Sequence, residues 1–163
     1  MQLSAADVKT QFDWIHEREP TIVSLVNAVR EDLGEAFETE VAPITPESYH
    51  ETIDVVGADG DLAVNVAALV AILRNLDVEG DYPGFIVDEL LGRELAAMIA
   101  GNQPRRMLAE ATFHYADIHH HTEEEAGSDD LDAALAAGVQ TRLPGWNWTE
   151  SESPFDVDPV SGQ

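Results

Sequence analysis

The chain has 163 residues, enough for one domain with a single core, and its lack of cysteine excludes disulfides, thiolate nucleophiles and cysteine-ligated metal centres. Thirty-two acidic residues oppose eight basic ones, a net charge of −24, which leaves too few clustered cations to grip a nucleic-acid backbone. No apolar run reaches the roughly 20 residues of a membrane span; the longest, "LAVNVAALVAIL", contains Asn65.

The acidity is spread along the whole chain, and Lys9 is the only lysine. Self-repulsion on this scale opposes compaction in dilute salt, but at molar salt the Debye length falls to about 3 Å and the repulsion is screened. The composition therefore fits a saturated-salt cytoplasm of the haloarchaeal kind. The opening "MQLSAADVKTQ" has neither a basic nor an apolar leader region, so an intracellular location is expected.

Ser4 is expected to cap a first helix, with Asp7 as its capping-box partner and Leu3 stapled over Val8. Val8, Phe12 and Ile15 form its apolar stripe. Pro20 should close it and Thr21 open the next helix, where Ile22, Leu25, Val26, Val29, Leu33, Phe37 and Val41 recur at helical spacing over about 20 residues. The segment 43–61, with Pro43, Pro46 and the turn signals of "GADGD", reads as loop with some short structure. Leu62, Val66, Leu69, Val70, Leu73 and Leu76 fit a helix, although the alternation of Leu62, Val64 and Val66 also permits a strand. A fourth helix is expected from about Phe85 to Ile99, stopping at Gly101. A fifth starts near Pro104 and carries Met107, Leu108, Ala111, Tyr115 and Ile118 inward. A sixth runs from Ser128 through Leu131, Leu135 and Val139 to "RLPG". The expected fold is mainly α: a helical bundle at residues 1–143 around one long amphipathic helix, with an extended C-terminal arm at 144–163.

The stretch "FHYADIHHHTEEE" concentrates imidazole and carboxylate. Glu110, His114, Asp117 and His121 are spaced four, three and four apart, which lines them along one helix face as an alternative metal site. A di-metal bundle, however, draws a Glu-x-x-His from each of two helices and a Glu from two more. Only Glu47 to His50 matches, with weaker Asp-x-x-His versions at Asp13 to His16 and Asp117 to His120. Three consecutive histidines point about 100° apart on a helix and cannot all face one ion, so this stretch reads as a solvated helix end, with neither metal nor cofactor expected. No nucleophile elbow, phosphate-binding loop or dinucleotide fingerprint occurs, and no enzymatic activity is expected. Trp146 and Trp148 fall on one side of an extended chain and, with Phe155, read as aromatic anchors for a partner. The competing reading has the tryptophans folded back on their own domain. Arg105 and Arg106 read as a helix start or as an interface cation pair.

The opening "AADVKTQF", followed by a turn and the long "IVSLVNAVREDLGEAFETEV", resembles the first helices of the head-tail connector (adaptor) proteins of tailed viruses. The closing "PRRMLAEATFHYADIHHHTEEEAG" and "LDAALAAGVQTRLPG" are similar to the last helix pair of that family. The likeness covers roughly 3–41 and 104–143, while 44–101 is longer than in the compact members. It implies a non-enzymatic virion subunit that forms a homo-oligomeric ring beneath the portal protein and receives the next neck or tail protein. It also implies that the C-terminal arm reaches a neighbour, and that DNA passes through the ring without specific binding. No membrane is involved. An acidic channel wall suits such passage, because binding DNA needs the opposite charge.

Overall fold

The computed structural model describes residues 3–75, 81–119 and 128–146, with the backbone alone at 81–89, 117–119 and 128–130. Among these residues there are seven helices and no strand: α1 (Ala5–Glu17), α2 (Glu19–Ala36), α3 (Pro46–Ala58), α4 (Gly60–Asn75), α5 (Asp81–Ala100), α6 (Arg105–His119) and α7 (Ser128–Gln140). The mainly α bundle is thus as expected.

The helix ends follow from local chemistry. Ser4 Oγ accepts from the Asp7 amide at 3.2 Å while Asp7 Oδ2 accepts from the Ser4 amide at 2.8 Å, closing the expected capping box on α1. Pro20 does not close this helix. It lies in the first turn of α2, where its missing N–H has no intrahelical partner to lose. α2 stops at Ala36, short of Val41. Glu38 takes a left-handed φ of 54°, and the amides of Glu38 and Thr39 return to the carbonyls of Glu35 (3.2 Å) and Gly34 (2.8 Å), a Schellman ending.

The loop expected at 43–61 is a helix over most of its length. Thr45 caps α3 through the Ser48 amide at 3.2 Å, Pro46 sits in the first turn, and Tyr49, Ile53 and Val56 form a buried stripe. The chain then bends by 109° into α4, which is helix and not strand. No single described helix is long and apolar enough to cross a membrane.

The element enclosed on every side is α7, whose residues Leu131 to Gln140 are all buried. It packs chiefly on α5 and α6, then on α2. Ala133, Ala134, Ala136 and Ala137 keep it thin enough to be surrounded. A Cβ at Gly138 would stand 2.7 Å from the Ile99 Cβ, so only glycine lets α5 approach there. The long amphipathic α2 forms a flank, burying Ile22, Leu25, Val26, Val29 and Leu33 against α6 and α7. Arg18, at the α1–α2 corner, clasps the buried Asp132 of α7 in a bidentate bridge (Nε–Oδ1 3.1 Å, Nη2–Oδ2 2.5 Å), and that carboxylate holds the guanidinium above its usual pKa.

Candidate functional site

The histidine-rich stripe does not assemble. Glu110 and His114 are both exposed on α6; Glu110 Oε2 lies 3.8 Å from Arg93 Nε, and the His114 ring stands edge-on to Tyr115 at 5.5 Å. Asp117 belongs to α6, but its side chain lies outside the described residues, as does His121. Among the described residues no three His, Asp or Glu side chains converge closely enough to hold a metal.

The anchor role expected for Trp146 is overturned. Its ring is 2% exposed and packs inside its own domain, edge-on to Phe37 at 6.3 Å and beside the Arg30 guanidinium at 5.7 Å. The reason is Arg30, itself 3% exposed. Its Nε donates to the Ala42 carbonyl (2.8 Å), Nη1 to Gln140 Oε1 (2.6 Å) and Nη2 to the Pro144 carbonyl (2.7 Å). Gln140 Oε1 also accepts from Trp146 Nε1 at 3.1 Å. One buried cation therefore ties α2, the 37–45 loop, α7 and the segment after it, so the packed domain extends through Trp146, beyond the expected boundary at 143. Burial pushes Arg30 down to about 10, which leaves it charged at neutral pH. Gly145, at φ +116°, passes close over this site; a Cβ there would meet Arg30 Nη2 at 3.1 Å and Val41 at 2.8 Å. Trp148 and Phe155 lie outside the described residues.

Two features have chemistry to spare. The first lies between α1 and α3. His16 Nδ1 and His50 Nδ1 are 2.7 Å apart with the rings stacked at 4.9 Å, and His16 Nε2 meets Asp54 Oδ1 at 2.9 Å. Alongside runs an open groove of about 450 Å³ with Val8, Phe12 and Ile53 in its floor and Lys9, Asp13 and Asp54 on its rim. Spacing gave one weak sign of this site: His16 and His50 each follow an acidic residue by three, and the fold brings these two turns together although 34 residues separate the histidines.

The second is the corner where α5 ends and α6 begins. Arg93 and Arg106, with Gln103 and Glu110, border a cleft of about 160 Å³ floored by small residues and Phe113. Arg105 and Arg106 are exposed at the start of α6, and Arg142, whose Nε donates to the Ile99 carbonyl at 2.9 Å, lies near enough to Arg105 to feel its charge. Burial, and then repulsion from Arg105, lower the Arg142 pKa, with Asp59 opposing in part. Four of the eight basic residues of the chain thus gather at one corner.

Nothing among curated proteins or solved structures matches the chain. A family model described as a domain of unknown function, DUF7984, matches residues 1–159, and the chain belongs to that family.

Proposed function

We propose that this chain is a non-enzymatic structural subunit that assembles with copies of itself into a ring, and that the ring is a head-tail connector beneath the portal of a virus with a salt-loving host. The observation that carries the assembly is the segregation of charge. Arg93, Arg105, Arg106 and Arg142 stand together in a chain of net charge −24, whose remaining surface offers many carboxylates to meet them. A basic corner on one copy and an acidic face on the next make a heterologous contact, and repetition of such a contact by rotation closes a ring. Placing Arg105 beside Arg142 costs repulsion that a neighbour's carboxylates would relieve. The connector assignment rests on the resemblance of residues 3–41 and 104–143, and on an acidic wall that DNA passes without sticking.

Trp146 is withdrawn from the list of anchors because its ring is occupied within the domain. Trp148 and Phe155, just beyond it, remain the aromatic residues proposed to reach the portal or a neighbouring subunit. The assembly is tested by the mass of the full chain in molar potassium chloride. A single closed oligomer is expected, and the double substitution Arg105→Glu, Arg106→Glu should reduce it to monomer with an unchanged helical signal. A wild-type chain that stays monomeric at every salt and protein concentration overturns the reading.

A further inference from the structure

We propose that the basic corner where α5 meets α6 is a docking surface for the chain's own acidic segment 150–158, taken from the same copy. Arg105 and Arg106 are exposed and make no ion pair among the described residues, while Arg142 turns its Nε to the Ile99 carbonyl. Beside them, Arg106 and Arg93 border the cleft that also holds Gln103 and Glu110. In a chain with only eight basic residues, guanidiniums gathered in this way select an occupant rich in carboxylates, with which each can form a paired hydrogen bond.

The sequence after Trp146, "NWTESESPFDVDPVSGQ", lies outside the described residues and has the matching chemistry. It contains Glu150, Glu152, Asp156 and Asp158 and no basic residue. All four acids are even-numbered, so in an extended chain, where alternate side chains share a face, they form one row with a rise of roughly 7 Å between members of each pair. Pro154 and Pro159 favour that extended form, because each fixes φ and removes a helix donor. Trp146 sets the phase of the row: its ring points into the domain, and an extended continuation turns the even-numbered side chains the same way.

Reach follows from chain length. Trp146 is fixed by its burial and its bond to Gln140. Arg142 precedes it by four residues and Glu150 follows it by four, and four residues span at most about 14 Å, so Glu150 can return to Arg142. The eight residues from Glu150 to Asp158, up to about 29 Å long, can then continue across Arg105 and Arg106. A tether this short holds the segment at a millimolar effective concentration, above that of another copy's acids in dilute protein. Close bidentate pairs also persist in molar salt, where the screening length is about 3 Å. The corner is the surface proposed above for the ring contact, so segment and neighbour compete for it; that consequence rests on the ring reading, whereas the docking does not.

Lys9 is the only lysine, so a carbodiimide, which condenses an amine with a carboxylate, gives assignable products in the full chain carrying Arg105→Lys. In molar potassium chloride the introduced amine should couple to the acids of 150–158 about tenfold more than to all other carboxylates, as located by peptide mass spectrometry, in a product with the mass of a single chain. Coupling chiefly to acids of residues 1–146 overturns the docking. Coupling to the tail chiefly at the mass of two chains also overturns it, and makes a neighbouring copy the occupant. Neutralising the segment, with Glu150→Gln, Glu152→Gln, Asp156→Asn and Asp158→Asn together, should lower the protein concentration of half-assembly about threefold, because the corner is no longer occupied in advance. An unchanged threshold overturns the competition, and a chain that never assembles overturns the ring alone, because the coupling is read within one chain.

Discussion

Two polar sites hold this bundle together by opposite means. At the end of α7, Arg30 donates to two backbone carbonyls and one side-chain amide, all supplied by the domain, and carries its charge at neutral pH. At the α1–α3 edge, the contact depends on which nitrogen of two histidines holds a proton. The first is buried and fixed; the second is half-buried beside an open groove. Buried polarity in this chain thus appears in a permanent and a conditional form, and the permanent one lies at the centre, where release would undo the whole fold. Substitutions can separate the two.

The largest effect is expected at the fixed site. Arg30→Met leaves the Ala42 and Pro144 carbonyls and Gln140 Oε1 without this donor, a loss of about 4 kcal/mol at roughly 1–3 kcal/mol per buried unpaired group, less what water recovers. Denaturant unfolding in molar salt measures it. Trp146→Ala should follow, at about 3 kcal/mol for the emptied ring site, whereas Trp146→Phe should cost only about 1 kcal/mol through the indole hydrogen bond to Gln140. Asp132→Ala strips the buried partner from the part-exposed Arg18 and should cost about 2 kcal/mol, a value below that of fully buried pairs because water reaches the guanidinium. Tyr49→Phe removes the hydroxyl that donates to the Ile15 carbonyl at 2.6 Å and should cost about 1 kcal/mol. Burial raises the Tyr49 pKa above its unfolded value, so its contribution is complete below about pH 10 and declines in stronger alkali, where the unfolded phenol ionises first. Tyr49→Phe should therefore also flatten the alkaline limb of a stability profile. The smallest effect belongs to Glu110→Ala with His114→Ala: both side chains are exposed, and the pair should change stability by less than about 0.5 kcal/mol.

Where sequence reasoning succeeded, the chemistry was local. The capping box at Ser4 and Asp7 and the stripe from Ile22 to Leu33 are short-range patterns, and both form as read. α3 was missed because its prolines and glycines were weighed as loop signals. In place, Pro46 is a first-turn residue behind a Thr45 cap, and Tyr49, Ile53 and Val56 already had helical spacing. The centrality of α7 was hidden because "LDAALAAGVQ" shows three large apolar residues at helical spacing, as any surface helix would. Burial of the other faces depends on alanines accepting neighbours, which periodicity does not record. Arg30 sits in "VREDL", an apparently solvated acidic face, and its partners lie 12 to 114 residues away. The histidine tract drew attention by composition, whereas His16 and His50, unremarkable in the chain, meet only through the packing of α1 on α3.

The position of α7 bears on how the bundle forms. Its residues 128–140 leave the ribosome after the helices that it packs against, and the bonds from Arg30 to Gln140 and Pro144 close loops of 110 and 114 residues. Contacts of such separation are late and slow, because loop-closure entropy is lost before any packing is gained. Until then the faces of α2, α5 and α6 that pack on α7 lack their cover and are open to solvent. The nascent chain is therefore most exposed to aggregation just before α7 arrives, and its dense negative charge opposes the association of such incomplete chains.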